Sequence, residues 1–175
     1  MIAVAVSGGA DSLYALASLK RTGAEVFALH ARFKKTPDAV DPVPELESRC
    51  RELGLVLRVR DMRERFAELI VRPFAESYVK GETPNPCVRC NALIKFGLLL
   101  EEARALGADR LATGHYVALV DHPRYGLALR SGADPAKDQS YFLALTPLTR
   151  LQQALFPLGD ITKTEVRHCL EEWHL

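Results

Sequence analysis

The chain carries 175 residues, 48% apolar and 26% charged, with 23 basic against 22 acidic side chains and a formal net charge of +1. Those are the proportions of an ordinary soluble globular domain, and the charge balance leaves any basic patch for nucleic acid to be local. No apolar run reaches the roughly 18 residues of a spanning helix, and Asp11 interrupts an N-terminal apolar run with no basic residue before it, so neither a membrane span nor a secretory signal is expected.

A cytoplasmic, thiol-reducing location is therefore expected. Residues 2–6, Ile-Ala-Val-Ala-Val, are expected as a strand buried on both faces. Asp11–Arg21 follows with helical periodicity and a stop at Gly23. A second strand is expected over 25–33, then a loop over Lys34–Val43 and a helix over Pro44–Leu53. A third strand over 55–60 has Asp61 at its end, and a helix over Met62–Lys80 has a break before Pro73.

Glu82–Asn91 contains two prolines and little regular signal. Ala92–Leu106 carries a strong helical pattern closed by Gly107, and a fourth strand over 110–114 runs into Gly114-His115-Tyr116. Val117–Ser131 reads as a hairpin turning at His122–Gly126. Lys137–Leu145 and Leu148–Leu155 read as helices. Thr162 with Glu165 is a capping box that opens a last helix, which shows no terminator before Leu175 and looks cut off. The alternation predicts an α/β fold with a doubly wound parallel sheet, a small hairpin and a helical C-terminal extension. Residues 1–135 are expected as the domain that carries the sheet and hairpin, and 136–175 as the truncated start of a further region.

The turn after the first strand, Ser7-Gly8-Gly9-Ala10-Asp11-Ser12, is the first chemical signal. Two glycines at a strand-to-helix turn let successive N–H groups point into one concavity, and the helix adds its positive end. Such a site suits phosphate or pyrophosphate, but the spacing is neither a Walker loop nor the dinucleotide fingerprint. The plain alternative is a tight turn with Asp11 or Ser12 as helix cap. The second signal is Cys87-Val88-Arg89-Cys90, which in a reducing compartment points to redox, metal or catalytic chemistry. Cys90 precedes Asn91 and the start of an expected helix, a place that stabilises a thiolate, with Arg89 beside it. Cys50 and Cys169 are expected to be buried, inert thiols. His115 is expected to be a buried structural histidine.

The hexapeptide Ser7–Ser12 resembles the signature of the PP-loop ATP pyrophosphatases. Four further stretches, in order, narrow the resemblance: GETPNPCVRCNALIKF at Gly81–Phe96, ATGHY at Ala112–Tyr116, KDQSYFL at Lys137–Leu143 and FPLGDITKTEVR at Phe156–Arg167. Together they resemble the tRNA-specific 2-thiouridylase family over essentially the whole chain. The resemblance implies ATP-dependent 2-thiolation of the wobble uridine of tRNA: adenylation of uridine O2, then sulfur transfer through a cysteine persulfide. It implies ATP with Mg²⁺ on Val6, Ser7, Gly8, Gly9, Ala10, Asp11, Ser12 and Leu13, with Ala31 and Gly114 completing the nucleotide site. Cys90 becomes the catalytic cysteine, and Asp11 is either catalytic by helping to place Mg²⁺ or a helix cap. Asn85, Pro86 and Cys87, with Lys137, Asp138 and Gln139, become tRNA contacts. The partners implied are tRNA and a sulfur donor protein, a cysteine desulfurase or relay carrier.

Two departures matter. The family usually has Asp where this chain has Cys87, so the pair Cys87 and Cys90 could be a redox couple, two ligands of a 4Fe–4S cluster, or neutral. The family's second catalytic cysteine and its C-terminal β domains lie downstream of the last helix. The competing readings are a nucleotide-binding module without complete sulfur transfer, and another adenylating PP-loop enzyme.

Overall fold

The structure, a computed structural model, describes residues 1–33 and 41–175. The loop expected over Lys34–Val43 lies for its larger part, 34–40, outside the described residues. Five parallel strands form the main sheet: β1 (Ile2–Ala5), β2 (Val26–Arg32), β3 (Leu57–Asp61), β4 (Arg110–Ala112) and β7 (Ala154–Leu155). They lie side by side in the order β3-β2-β1-β4-β7. The central strands need no polar face, because helices cover both sides; Ala3, Val4, Leu111 and Ala112 are fully buried.

On one face, α1 (Ala10–Arg21), α2 (Val43–Glu52) and α8 (Lys163–Glu172) pack through Leu16, Leu46, Val166 and Leu170. On the other lies a longer helical layer. It begins with α3 (Arg63–Phe66), a π-helical turn π1 (Ala67–Val71) and α4 (Arg72–Val79), and it resumes with α5 (Pro86–Cys90), π2 (Asn91–Leu99) and α6 (Leu100–Ala105). Ile70, Ile94, Phe96 and Leu99 carry that face of the core. The break expected before Pro73 is a widened turn rather than a gap: Pro73 has no N–H to give, and π1 directly precedes α4, in which Pro73 is the second residue.

Several expectations are corrected. Glu82–Asn91 is not irregular throughout. Asn85 Oδ1 accepts from the N–H groups of Cys87 and Val88, and Pro86 sits at the first helical position, so α5 starts on a proper cap. Lys137–Leu145 is a turn followed by one 3-10 helix, Ser140–Leu143, because Asp138 takes the Ser140 N–H and hydroxyl and stops a longer helix from forming upstream. Leu148–Leu155 divides into α7 (Leu148–Leu151) and β7, whose two residues pair with Leu111 and Ala112. The last helix does have a terminator. His174 is left-handed at φ 58°, and the Leu175 N–H reaches Leu170 O at 2.9 Å, a Schellman closure made without glycine. The hairpin of β5 (Val117–His122) and β6 (Gly126–Ser131) and the capping box of Thr162 and Glu165 are as expected.

Strand β1 hands over to β2 on one side and pairs with β4 on the other. The C-terminal ends of β1 and β4 therefore flank a topological switch point, the place where an open α/β sheet receives ligands.

Candidate active site

Ser7–Ser12 leaves β1 at this switch point. Gly8 takes φ 89°, a conformation that disfavours any side chain, and Gly9 caps α1 in an extended conformation. Ser12 is buried and holds the loop from within: its Oγ accepts from the Ser7 N–H at 3.1 Å and donates to Gly9 O at 2.8 Å. Ser7, Gly8, Gly9 and Ala10 remain exposed, with the start of α1 behind them. A shaped loop of exposed backbone over a helix start is an anion cradle.

Gly114 closes in from β4. A Cβ there would lie 3.0 Å from the Asp11 carbonyl carbon and 3.1 Å from Ser12 N. The approach of two backbones thus leaves little room for a side chain here. The cleft they border measures about 1010 Å³, at the upper end for small-molecule sites. Val6, Ser7, Asp11, Ser12, Ala31 and Gly114 line it, which unites most of the residues expected to hold ATP. Leu13 lies one turn into α1, and Gly8 and Ala10 border a smaller neighbouring cavity.

Asp11 is not an open carboxylate. Its Oδ1 accepts from the Tyr116 hydroxyl at 2.7 Å and from Lys163 Nζ at 2.5 Å. Burial, and next the Asp11 carboxylate, push the Tyr116 phenol well above its ordinary range, so Tyr116 serves as a donor. Helix capping by Asp11 is not seen; no side chain caps α1.

Lys95, His115 and Gln139 line the same cleft. His115 is buried, as expected, and burial followed by the Lys95 charge lowers it to about 3. Its Nδ1 pairs with Thr113 Oγ1 at 2.7 Å and its Nε2 with Lys95 Nζ at 3.3 Å. Gln139 exchanges hydrogen bonds with the Tyr116 backbone, donating N–H to Tyr116 O and accepting the Tyr116 N–H at Oε1, both 3.1 Å. Of its neighbours, Lys137 is exposed and Asp138 is committed to Ser131 and Ser140.

Cys90 differs from expectation. It closes α5 and runs straight into π2, so it does not sit at a helix N-terminus; those N–H groups belong to Cys87 and Val88 and are taken by Asn85. Burial pushes the half-buried Cys90 thiol up, the Lys95 charge opposes that, and Cys87 adds to it. Arg89 is exposed and has no part in this. Two asparagines bracket the cysteine and reach the same place: Asn85 Nδ2 donates to the Tyr141 hydroxyl, and Asn91 Nδ2 to Phe142 O at 3.1 Å. The stretches Gly81–Phe96 and Lys137–Leu143 thus meet.

Cys87 is exposed and Cys50 is buried as expected, whereas Cys169 is only half-buried; all four cysteines are free. Among the described residues no three His, Cys, Asp or Glu side chains gather as a metal site. A 4Fe–4S cluster wants three or four ligands. Cys87 and Cys90 do not fit it alone, Cys50 and Cys169 belonging to α2 and α8 across the sheet. Lys95 and Lys163 were missed by sequence reasoning. The signal for Lys95 was a lone cation inside an apolar helical run, and for Lys163 its place in the Phe156–Arg167 stretch.

A family model described as the tRNA methyl transferase HUP domain matches residues 1–175. The tRNA-specific 2-thiouridylase MnmA of Lawsonia intracellularis is 57% identical over 176 residues, covering 99% of this chain and 50% of its own length. Its counterpart in Thermus thermophilus is 44% identical over 189 residues, with 98% and 50% covered. The chain spans about half the length of the curated relatives it matches. Among solved structures, the U34-tRNA thiolase NcsA from Methanococcus maripaludis, with its 4Fe–4S cluster, superposes with a TM-score of 0.63 at 20% identity, covering 99% of this chain and 57% of that one. A predicted subunit of a tRNA methyltransferase from Methanocaldococcus jannaschii superposes at 0.58 and 18% identity, covering 98% and 74%. At those identities the likeness extends to the fold.

Proposed function

This chain belongs to the tRNA methyl transferase HUP domain family, and from that membership we propose that it carries the ATP-using chemistry of a tRNA 2-thiouridylase. The resemblance drawn from its motifs is borne out at the level of the family: relatives bearing the thiouridylase name align across nearly all of it. One observation carries the reading. Ser7, Asp11 and Ser12 of the cradle line one cleft together with Lys95, whose charge acts on Cys90.

ATP lies with its phosphates on Ser7–Ser12 and its base toward Ala31, and Mg²⁺ arrives with ATP as substrate. Uridine O2 attacks the α-phosphorus, the bond to the bridging oxygen breaks, and pyrophosphate leaves. The cradle holds the charge that gathers on the leaving group. Sulfur from a donor persulfide then bonds to C2 and AMP departs. Completing the thiocarbonyl requires cleavage of the donor's S–S bond; the Cys90 thiolate takes the remaining donor sulfur as a disulfide, which an external thiol reduces. No step runs through a cluster. Asn85, Pro86, Cys87, Lys137, Asp138 and Gln139 form the proposed tRNA contact, and of these Gln139 lines the cleft. An anticodon base can be splayed into it because loop bases are not held in a duplex.

The proposed partners are tRNA and a cysteine desulfurase or sulfur carrier, in the cytoplasm; among the described residues no helix is long and apolar enough to cross a membrane. The full-length protein, incubated with ATP, a persulfide donor and unmodified tRNA, is expected to form 2-thiouridine. Cys90→Ser should abolish product and leave ATP binding intact. No product from a protein that binds ATP and tRNA would overturn the reading.

A further inference from the structure

Cys90 and Lys95 stand five positions apart. In an α-helix five residues turn about 140° beyond the starting direction and leave the two side chains on different faces. The segment that starts directly after Cys90 is instead π-helical, Asn91–Leu99, and its ladder closes from i to i+5. Residue i+5 therefore returns over residue i. We propose that this π-helical turn makes Lys95 the positioning residue of Cys90, bringing its ammonium to the cysteine's side of the cleft so that the buried sulfur can exist as a thiolate.

A second, independent constraint fixes the ammonium. An ammonium has three donors and no acceptor. The 3.3 Å contact is therefore Lys95 donating to Nε2 of His115, and His115 carries its proton on Nδ1, donating to Thr113 Oγ1 at 2.7 Å. The ring is neutral and buried, so it orients Nζ without cancelling its charge. Two donors remain for sulfur and for the cleft. When Cys90 ionises, its proton goes to solvent and Lys95 keeps its own, so that the pair is neutral.

The directions agree. Burial pushes the thiol up and Lys95 opposes it; burial pushes Lys95 down and Cys90 opposes that. The other charged or titratable groups on α5 and the elements packed against it are Cys87 and Arg89 on α5 itself, Tyr141 on the 3-10 helix and Glu68 on π1, the last paired with Arg65 at 2.6 Å. Lys95 is the cation that acts on Cys90.

The catalytic meaning of this pair rests on the sulfur-transfer reading, but the pairing itself can be measured without tRNA. Trypsin cuts between Arg89 and Cys90, so the alkylation of Cys90 by iodoacetamide can be followed on its own peptide in a Cys87→Ser background. The pH midpoint is expected to rise by about one unit or more in Lys95→Met and Lys95→Gln, slowing alkylation about tenfold at neutral pH. Lys95→Arg should restore the midpoint, and Cys169 should not respond. Coupling is reciprocal, so Cys90→Ser, a change that keeps side-chain volume, should make Lys95 about tenfold more reactive toward acetic anhydride at a fixed alkaline pH. An unmoved Cys90 midpoint in neutral variants that still bind ATP, or equal Lys95 reactivity with and without Cys90, overturns the proposal. If the midpoint moves and no 2-thiouridine is made, the pairing stands and the reading of function falls. If 2-thiouridine is made and the midpoint stays, the reverse holds.

Discussion

Lys163 Nζ donates to Asp11 Oδ1 across 2.5 Å, tying the first turn of α8 to the first turn of α1 over 152 positions of sequence. The one carboxylate inside the Ser7–Ser12 loop is thereby paired with a cation.

Removing that cation should expose the anion. Lys163→Met is expected to weaken ATP binding about tenfold, about 1.4 kcal/mol. Adding Asp11→Asn to it should recover most of the loss, a coupling that calorimetric titration of the two single variants and the double variant would show. Stability should change less, since the pair is partly exposed and such pairs contribute about 0–1 kcal/mol. An unchanged Kd in Lys163→Met would contradict this account.

His115 gives the protein an acid-sensitive element. Its folded value is about 3 against an ordinary 6.5, so the unfolded chain takes up a proton that the fold refuses. The associated stability is complete above about pH 6.5 and drains away as pH falls toward about 3. Urea titrations from about pH 7 to about pH 4, read by Trp173 fluorescence, should show falling midpoints. His115→Gln should flatten that decline; an equally steep decline in the variant would rule His115 out as its source.

Gly114→Ala tests the close approach of β4 to the loop. The added methyl would stand 3.0 Å from Asp11 backbone, which is itself fixed by α1. Overpacking of this kind costs about 1–3 kcal/mol. A lower melting temperature and weaker ATP binding should appear together, because the atoms displaced are those of the cradle. A variant with wild-type values for both would show that the loop can retreat.

Asn85→Ala removes a helix cap and the tie to Tyr141 at once. The cap alone is worth about 1 kcal/mol. Faster amide exchange at Cys87 and Val88 is expected, confined to α5 and the Ser140–Leu143 turn. Exchange unchanged at those two amides would mean the cap is dispensable.

Much of this was legible in advance, for physical reasons that differ from place to place. The run Ile2–Val6 announces a doubly covered strand, and Thr162 with Glu165 announces a helix start, because each is decided by neighbours in sequence. Ala154–Leu155 could not be read: two residues have no periodicity, and only pairing with β4 makes them a strand. Asn85-Pro86 could have been read, since an N-cap followed by proline at the first helical position is a start signal; the two prolines masked it. At the site, Ser7–Ser12 and the burial of His115 were legible. The surroundings of Cys90 were not, because a helical wheel assumes 3.6 residues per turn and the widened turn after Cys90 breaks that assumption. Asp11 looked available for metal because its partners, Tyr116 and Lys163, lie far away along the chain.

Among the described residues the β5–β6 hairpin is paired only with itself, and its tip, His122–Gly126, is exposed while its base at Val117 and Ala118 is buried. That division offers an engineering handle. A dye or affinity peptide inserted between Pro123 and Arg124 would sit outside the sheet that carries the cleft, where exposed loop tips accept added chain. The cleft could then be watched at work by a reporter that does not touch it.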